Sequence, residues 1–206
     1  MPVIVIANPK GGVGKSTLSS NIAGYFARQG HTVMLGDVDR QQSSRLWLQW
    51  RPATLPTILS WDINDDHIAR PPKGTTHVVL DTPAGLHGKG LKAVLKLATK
   101  VVVPLQASVF DIHATQSFLA ELAEHKQASG LQIGVVANRV KEHTKAAEHL
   151  IEFLQTLDVP LVGQLRDTQN YAHLAAHGLS LWDVPATKVE KDLAQWAPVL
   201  GWLDQA

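Results

Sequence analysis

The chain has 206 residues, of which 45% are hydrophobic and 18% charged, values that suit one ordinary α/β domain and exclude an intrinsically disordered segment. Its 19 basic and 18 acidic side chains leave a formal net charge of +1, which excludes a strongly basic nucleic-acid binder and leaves room only for a local basic patch. Cysteine is absent, so disulfides, thiolate metal sites and a cysteine nucleophile are excluded, and no run approaches the roughly 20 apolar residues of a membrane span.

In chain order, apolar strand-like runs recur at 3–7, 32–36, 77–80, 100–105, 132–137 and 161–165. Helix-length stretches with apolar residues three and four apart fall at 17–29, 89–98, 112–128 and 143–156. Alternating strands and helices predict a parallel sheet covered on both faces, whose strands read as unbroken apolar runs such as Val101-Val102-Val103 and Val135-Val136-Ala137. The segment from Arg51 to Thr76 is irregular, with Pro52, Pro56, Pro71, Pro72, Gly74 and the acidic pair Asp65-Asp66, and holds at most a short strand at Thr57-Ile58-Leu59. A closing helix is expected from Thr187 to Leu203, with Thr187 and Glu190 as a capping box and a bend at Pro198.

The first strand leads into Pro9-Lys10-Gly11-Gly12-Val13-Gly14-Lys15-Ser16. A strand, a glycine-rich turn and a helix N-terminus in that order present free backbone N–H groups and a positive dipole end to phosphate. In this pattern Lys15 reaches the terminal phosphates and the Ser16 hydroxyl ligates Mg²⁺, with Gly11, Gly12, Val13, Gly14 and Thr17 completing the cradle. The usual first glycine is Pro9, and Lys10 is an additional lysine inside the loop. Two acidic motifs follow strands: Asp37-Val38-Asp39-Arg40-Gln41 and Asp81-Thr82-Pro83-Ala84-Gly85. Carboxylates at strand ends suit a hard cation that keeps several waters, which makes Asp37 and Asp81 candidate Mg²⁺ carboxylates acting through water.

The loop, the Asp37-x-Asp39 motif and the Asp81-Thr82-Pro83-Ala84-Gly85 motif together resemble the deviant Walker A ATPases of the ParA/MinD family, most nearly its short ParA members. Val135-Val136-Ala137-Asn138-Arg139 resembles that family's strand presenting an adenine-reading Asn, and Leu165-Arg166-Asp167 with Tyr171, Ala176, Gly178 and Ser180 resembles its late signature. The resemblance implies an α/β, single-domain P-loop NTPase spanning 1–206, with a mostly parallel twisted sheet covered by helices on both faces and no separate DNA-reading domain. It implies ATP and Mg²⁺ as cofactors, and nucleotide contacts from Asn138 and Arg166. Lys10 would cross to the phosphates of a second subunit in an ATP-dependent homodimer, joining Lys15 and Asp39 as the catalytic set, with Asp39 placing the attacking water. It further implies a bacterial, cytoplasmic, nucleoid-associated switch that partitions or positions cargo. A ParB-like adaptor would stimulate hydrolysis, and the ATP-bound form would bind DNA without sequence preference.

Candidate DNA phosphate contacts are Arg139, Lys141, Lys145, Arg166, Lys188 and Lys191, each of which also reads as an ordinary surface charge. Two alternatives share the loop. One is an amidoligase nucleotide domain of the cobyrinate type, whose usual glutaminase cysteine this chain lacks. The other is a MinD-like membrane-bound protein, disfavoured by the weakly charged tail Trp202-Leu203-Asp204-Gln205-Ala206. The family's proline after the second aspartate is Arg40 here. His173 and His177 share a helix spacing but have no evident third ligand, and Trp47, Trp50 and Trp61 read as core or contact surface, with Trp47 and Trp50 close enough to the first acidic motif to sense nucleotide.

Overall fold

The computed structural model describes residues 1–39, 41–61, 63–64, 67–68 and 71–205, and the side chains of all but 63–64, 67–68, 109–113 and 125–129 of these. The motif position Arg40 and the pair Asp65-Asp66 lie outside the described residues. Strands β1 (Val3–Ile6), β2 (Val33–Asp37), β3 (Ile58–Trp61), β6 (His77–Asp81), β7 (Lys100–Leu105), β8 (Gln132–Val140) and β9 (Leu161–Arg166) form one sheet in the order β3-β2-β6-β1-β7-β8-β9. Every pairing in it is parallel. A separate two-stranded antiparallel ribbon, β4 (Ile63–Asn64) and β5 (His67–Ile68), occupies the irregular segment.

Both faces of the sheet are covered because its strands are apolar on both sides. Helices α3 (Gly88–Leu95), α4 (Val109–Ser129) and α5 (Lys145–Gln155) belong to one face, where Leu91, Leu122 and Leu150 pack on Val5, Leu80 and Val103. Helices α1 (Lys15–Arg28), α2 (Ser43–Trp50), α6 (Asn170–Ala175) and α7 (Ala186–Leu203) cover the other, where Leu18, Ile22 and the fully buried Trp196 pack on Ile4, Val79 and Val102. The sheet's middle strand β1 lies between β6 and β7, so the loop after β1 opens where the strand order changes direction, the usual ligand crevice of such sheets.

Several local expectations need correction. The edge strand β3 runs to Trp61 rather than stopping at residue 59, because register with β2 through Gly36↔Trp61 extends it. The closing helix begins at Ala186 with Pro185 at its N-cap, so Thr187 is already helical and caps nothing. Its dihedral break falls at Val189 (φ −133°), not at Pro198. The capping box belongs instead to Ser180 and Asp183, around a 3₁₀ turn at Leu181–Asp183. Trp47 and Trp61 are core residues, whereas Trp50 stands 51% exposed. No helix among the described residues is long and apolar enough to cross a membrane.

Candidate nucleotide site

The glycine loop is framed by side chains from neighbouring strands. Asn8 accepts from the Lys10 N–H at 2.9 Å and donates to the Pro104 carbonyl at 2.8 Å, and Gln106 donates to the Gly12 carbonyl at 2.8 Å. Thr82 ties the second acidic loop to the Ile6 carbonyl at 2.8 Å, and the Gly85 N–H bonds the Pro9 carbonyl at the same distance. Gly14 has φ +96°, and a Cβ there would sit 2.2 Å from Nδ2 of Asn138, so this position requires glycine on both counts.

The loop's two lysines are divided. Lys15 is buried, and its ammonium donates to the Lys10 carbonyl at 2.7 Å. Burial lowers its pKa, while Asp81 and Asp39 pull it back up. Lys10 is half-exposed, and its ammonium has no partner among the described residues.

The carboxylates meet across β2 and β6, where Asp37 and Asp81 are direct register neighbours. Asp37 Oδ2 accepts from the N–H groups of Ser44 and Arg45 at the start of α2, and Oδ1 accepts from Asp39 N–H. Burial raises its pKa against those hydrogen bonds. Asp81 is almost wholly buried. Burial pushes its carboxyl up to about 6, opposed by the neighbouring Ser16 and Ser44 hydroxyls. Its Oδ2 accepts from the Ser44 hydroxyl at 2.7 Å, while Oδ1 is buried without a hydrogen-bond partner. An orphaned carboxylate oxygen costs several kcal/mol in other settings, but beside Ser16 and Asp37 it makes an all-oxygen set that fits a hydrated Mg²⁺.

Two cavities adjoin here. One of about 590 Å³ is lined by the loop from Gly11 to Thr17 together with Asp39, Gln41, Pro83 and Arg139. The other, about 270 Å³, is lined by Thr17, Asn138, Arg139 and residues from Asp167 to Ala175. The first is bounded by the glycine loop, the second by Asn138 and the segment around the start of α6. Asn138 is buried, its Nδ2 donating to the Val13 carbonyl at 2.7 Å. A break in the β8–β9 register between Ala137 and Val140 places Arg139 in the left-handed region at φ 52° and directs it to the seam of both cavities. A further cavity, at the N-terminal ends of the strands, contains Lys100, whose ammonium is already bonded to the Trp202, Leu203 and Gln205 carbonyls.

Most of the expected site residues therefore converge. Arg166 does not: its guanidinium is paired with the buried Asp192 at 2.6 Å and lines neither cavity. Of the expected DNA contacts, Arg139 lines both cavities and Lys141 pairs with Asp167 at 3.8 Å. Lys145 is exposed at the start of α5, and Lys188 and Lys191 are exposed on the first turns of α7. His173 and His177 contact each other, but no group of three metal-ligating side chains exists among the described residues. Ser44 and Gln106 were not legible from the sequence. Neither sits in a motif, and both act across the fold.

Replacing Arg139 by glycine separates the strain from the contact. Relief of the positive φ is expected to stabilise the fold by up to about 1 kcal/mol in a denaturant titration. Nucleotide affinity, followed by fluorescence titration, is expected to fall several-fold in the same variant.

A glycine loop between a middle parallel strand and a helix, with strand-end carboxylates beside it, defines a P-loop nucleotide-binding domain. Residues 4–181 match the model of the CobQ/CobB/MinD/ParA nucleotide binding domain, and the chain belongs to that family. It is 34% identical over 112 residues to "Maintenance of carboxysome distribution protein A" of Gloeobacter kilaueensis, a match covering 53% of this chain and 51% of that protein. It is 31% identical over 160 residues to the chromosome-partitioning ATPase Soj of Thermus thermophilus, covering 59% of this chain and 61% of that protein. The chain thus spans little more than half the length of these two relatives. A plasmid partition protein from Borrelia burgdorferi bound to AMPPNP shares the fold at a TM-score of 0.73 and 16% identity, covering 97% of this chain and 98% of that one.

Proposed function

We propose that this chain is an ATP-driven positioning switch, a Mg²⁺-dependent ATPase completed by a second copy of itself. The observation that carries this reading is the division of the loop lysines. Lys15 lines the phosphate cavity, whereas Lys10 is half-exposed and its ammonium meets no anion among the described residues.

An incoming triphosphate would take Lys15 from the Lys10 carbonyl. A Mg²⁺ bound with the nucleotide would supply positive charge against the charge that develops on the phosphates. Ser16 and the free oxygen of Asp81 would hold its shell, with Asp37 behind them. Asp39 lines the phosphate cavity, where its carboxylate would orient the attacking water. Lys10 of a second copy would then bring positive charge to the departing γ-phosphate.

Relatives that are named for chromosome partitioning and carboxysome distribution support cargo positioning as the outcome. In the proposed switch, DNA is the track and an adaptor triggers hydrolysis. The family also covers CobQ and CobB, so family membership alone leaves the amidoligase reading open, and the division of Lys10 from Lys15 favours the switch. The direct test is co-sedimentation with DNA. Binding is expected with ATP and not with ADP, and it should fall by orders of magnitude between about 50 and 200 mM salt if several phosphates are contacted. Binding indifferent to nucleotide, or turnover that requires a small carboxylic acid, would overturn the switch.

A further inference from the structure

Ser44 is fully buried at the start of α2 and belongs to neither acidic motif. It nevertheless touches both. Its backbone N–H donates to Asp37 Oδ2 at 2.9 Å, and its hydroxyl donates to Asp81 Oδ2 at 2.7 Å. Asp37 and Asp81 are adjacent across β2 and β6, so one residue fastens the ends of two neighbouring strands to one helix.

A carboxylate has two oxygens and turns about one bond. With Oδ2 held by the Ser44 hydroxyl, Asp81 has only Oδ1 left to offer, and that oxygen is the one without a partner. We propose that Ser44 is the positioning residue of the cation site, its hydroxyl fixing the Asp81 carboxylate so that Oδ1 faces the hydration shell of the nucleotide-bound cation. This proposal rests on the Mg²⁺–nucleotide reading of the site. Since the Ser44 N–H also anchors α2 to Asp37, strain on Asp81 reaches the first turn of that helix without an intermediary. Removing the hydroxyl releases Oδ2 and leaves both oxygens buried without a donor from α2, with Ser16 the remaining neighbouring hydroxyl. Removing it does not touch the backbone bond to Asp37, so the helix start persists.

Hydrogen-bond partners of metal-binding groups commonly change metal affinity by about 10–100-fold when deleted. The experiment measures the rise in thermal midpoint given by saturating ADP as Mg²⁺ is titrated, for the wild type, Ser44→Ala and Ser44→Thr. The Ala variant is expected to need at least about tenfold more Mg²⁺ for half the effect. Its ADP affinity in excess EDTA should stay within twofold of the wild type, and the Thr variant, which keeps the hydroxyl, should lie near the wild type. Should Ser44→Ala not fold, Ser44→Cys keeps the volume with a weak donor and reads the same shift.

An Mg²⁺ half-point unchanged in the folded Ala or Cys variant overturns the role of Ser44 while leaving the site intact. Equal losses with and without Mg²⁺ also overturn it, because they mark a merely structural residue. A wild type that ADP stabilises equally with Mg²⁺ and with EDTA overturns the Mg²⁺ reading itself, and the proposal with it.

Discussion

Asp81→Asn is expected to make the nucleotide-free protein more stable and its response to Mg²⁺ disappear. The carboxyl is buried beside an orphaned oxygen, and its pKa is pushed up to about 6 by desolvation. A raised acid binds its proton more tightly in the folded state, so between pH 4 and 6 the unfolded chain loses its proton first. This group's contribution to stability therefore declines as pH rises through that window, and the full cost stands above it. From an ordinary carboxyl near 3.8 to about 6, that cost is up to about 3 kcal/mol. Asparagine retains an oxygen for the Ser44 hydroxyl and removes the charge.

Denaturant titrations of both proteins at pH 4 and pH 8 test this. The difference in stability should be small at pH 4 and reach about 2–3 kcal/mol in favour of the variant at pH 8. Comparing the two proteins is necessary because His77 works in the opposite direction. Burial and its neighbour His31 depress its pKa to about 4, so its contribution is lost as pH falls from 6.5 toward 4. A wild-type pH profile alone blends the two. If Asp81→Asn is destabilising at pH 8, the buried charge is better compensated than the geometry indicates.

Arg51→Ala is expected to be the most damaging change outside the nucleotide site. Arg51 closes α2 and is 5% exposed at its side chain, where it forks onto the fully buried Asp183 at 2.8 and 3.2 Å. It also donates to the Pro56 and Gly178 carbonyls and lies over the Trp47 ring at 5.3 Å. Burial alone would raise Asp183, but Arg51 and Ser180 outweigh it and hold its pKa below the ordinary range. Truncating one partner of such a pair leaves a buried charge behind, at a cost of about 3–5 kcal/mol. Arg28, 40% exposed and 3.3 Å from Asp183, keeps the loss toward the lower end. Urea unfolding at pH 7 measures it. A loss below about 1 kcal/mol would show the pair to be no better than a surface bridge.

These two sites bracket α2, and α2 shows where sequence and structure part. The strands were legible because both faces of the sheet are covered, which turns β1, β7 and β8 into plain apolar runs. The glycine loop and the strand-end carboxylates were legible because phosphate and cation chemistry dictates residue type at fixed spacing. Helix α2 was not. It has eight residues, no cap from its own N-cap side chain, and an N-terminus held by Asp37 seven residues before Ser44. The break that turns Arg139 into the cavities leaves no periodic trace, because a bulge alters register and not composition. The same holds for the closing helix, where Thr187 and Glu190 imitate a capping box that Pro185 moves out of place. Arg166 likewise carried the right residue type for phosphate, but its partner Asp192 lies 26 residues away on α7.

If one subunit does not hold a complete site, mixing two inactive variants should reveal it. Lys10→Ala retains its own Asp39, and Asp39→Ala retains a Lys10 to lend. If the lysine acts in the neighbouring subunit, each protein alone should hydrolyse ATP at background rate. Their equimolar mixture should recover about a quarter of the wild-type rate, since half of the dimers are mixed and each mixed dimer contains one intact site. A mixture as inactive as its components, or a Lys10→Ala protein that hydrolyses ATP at the wild-type rate, would contradict the account.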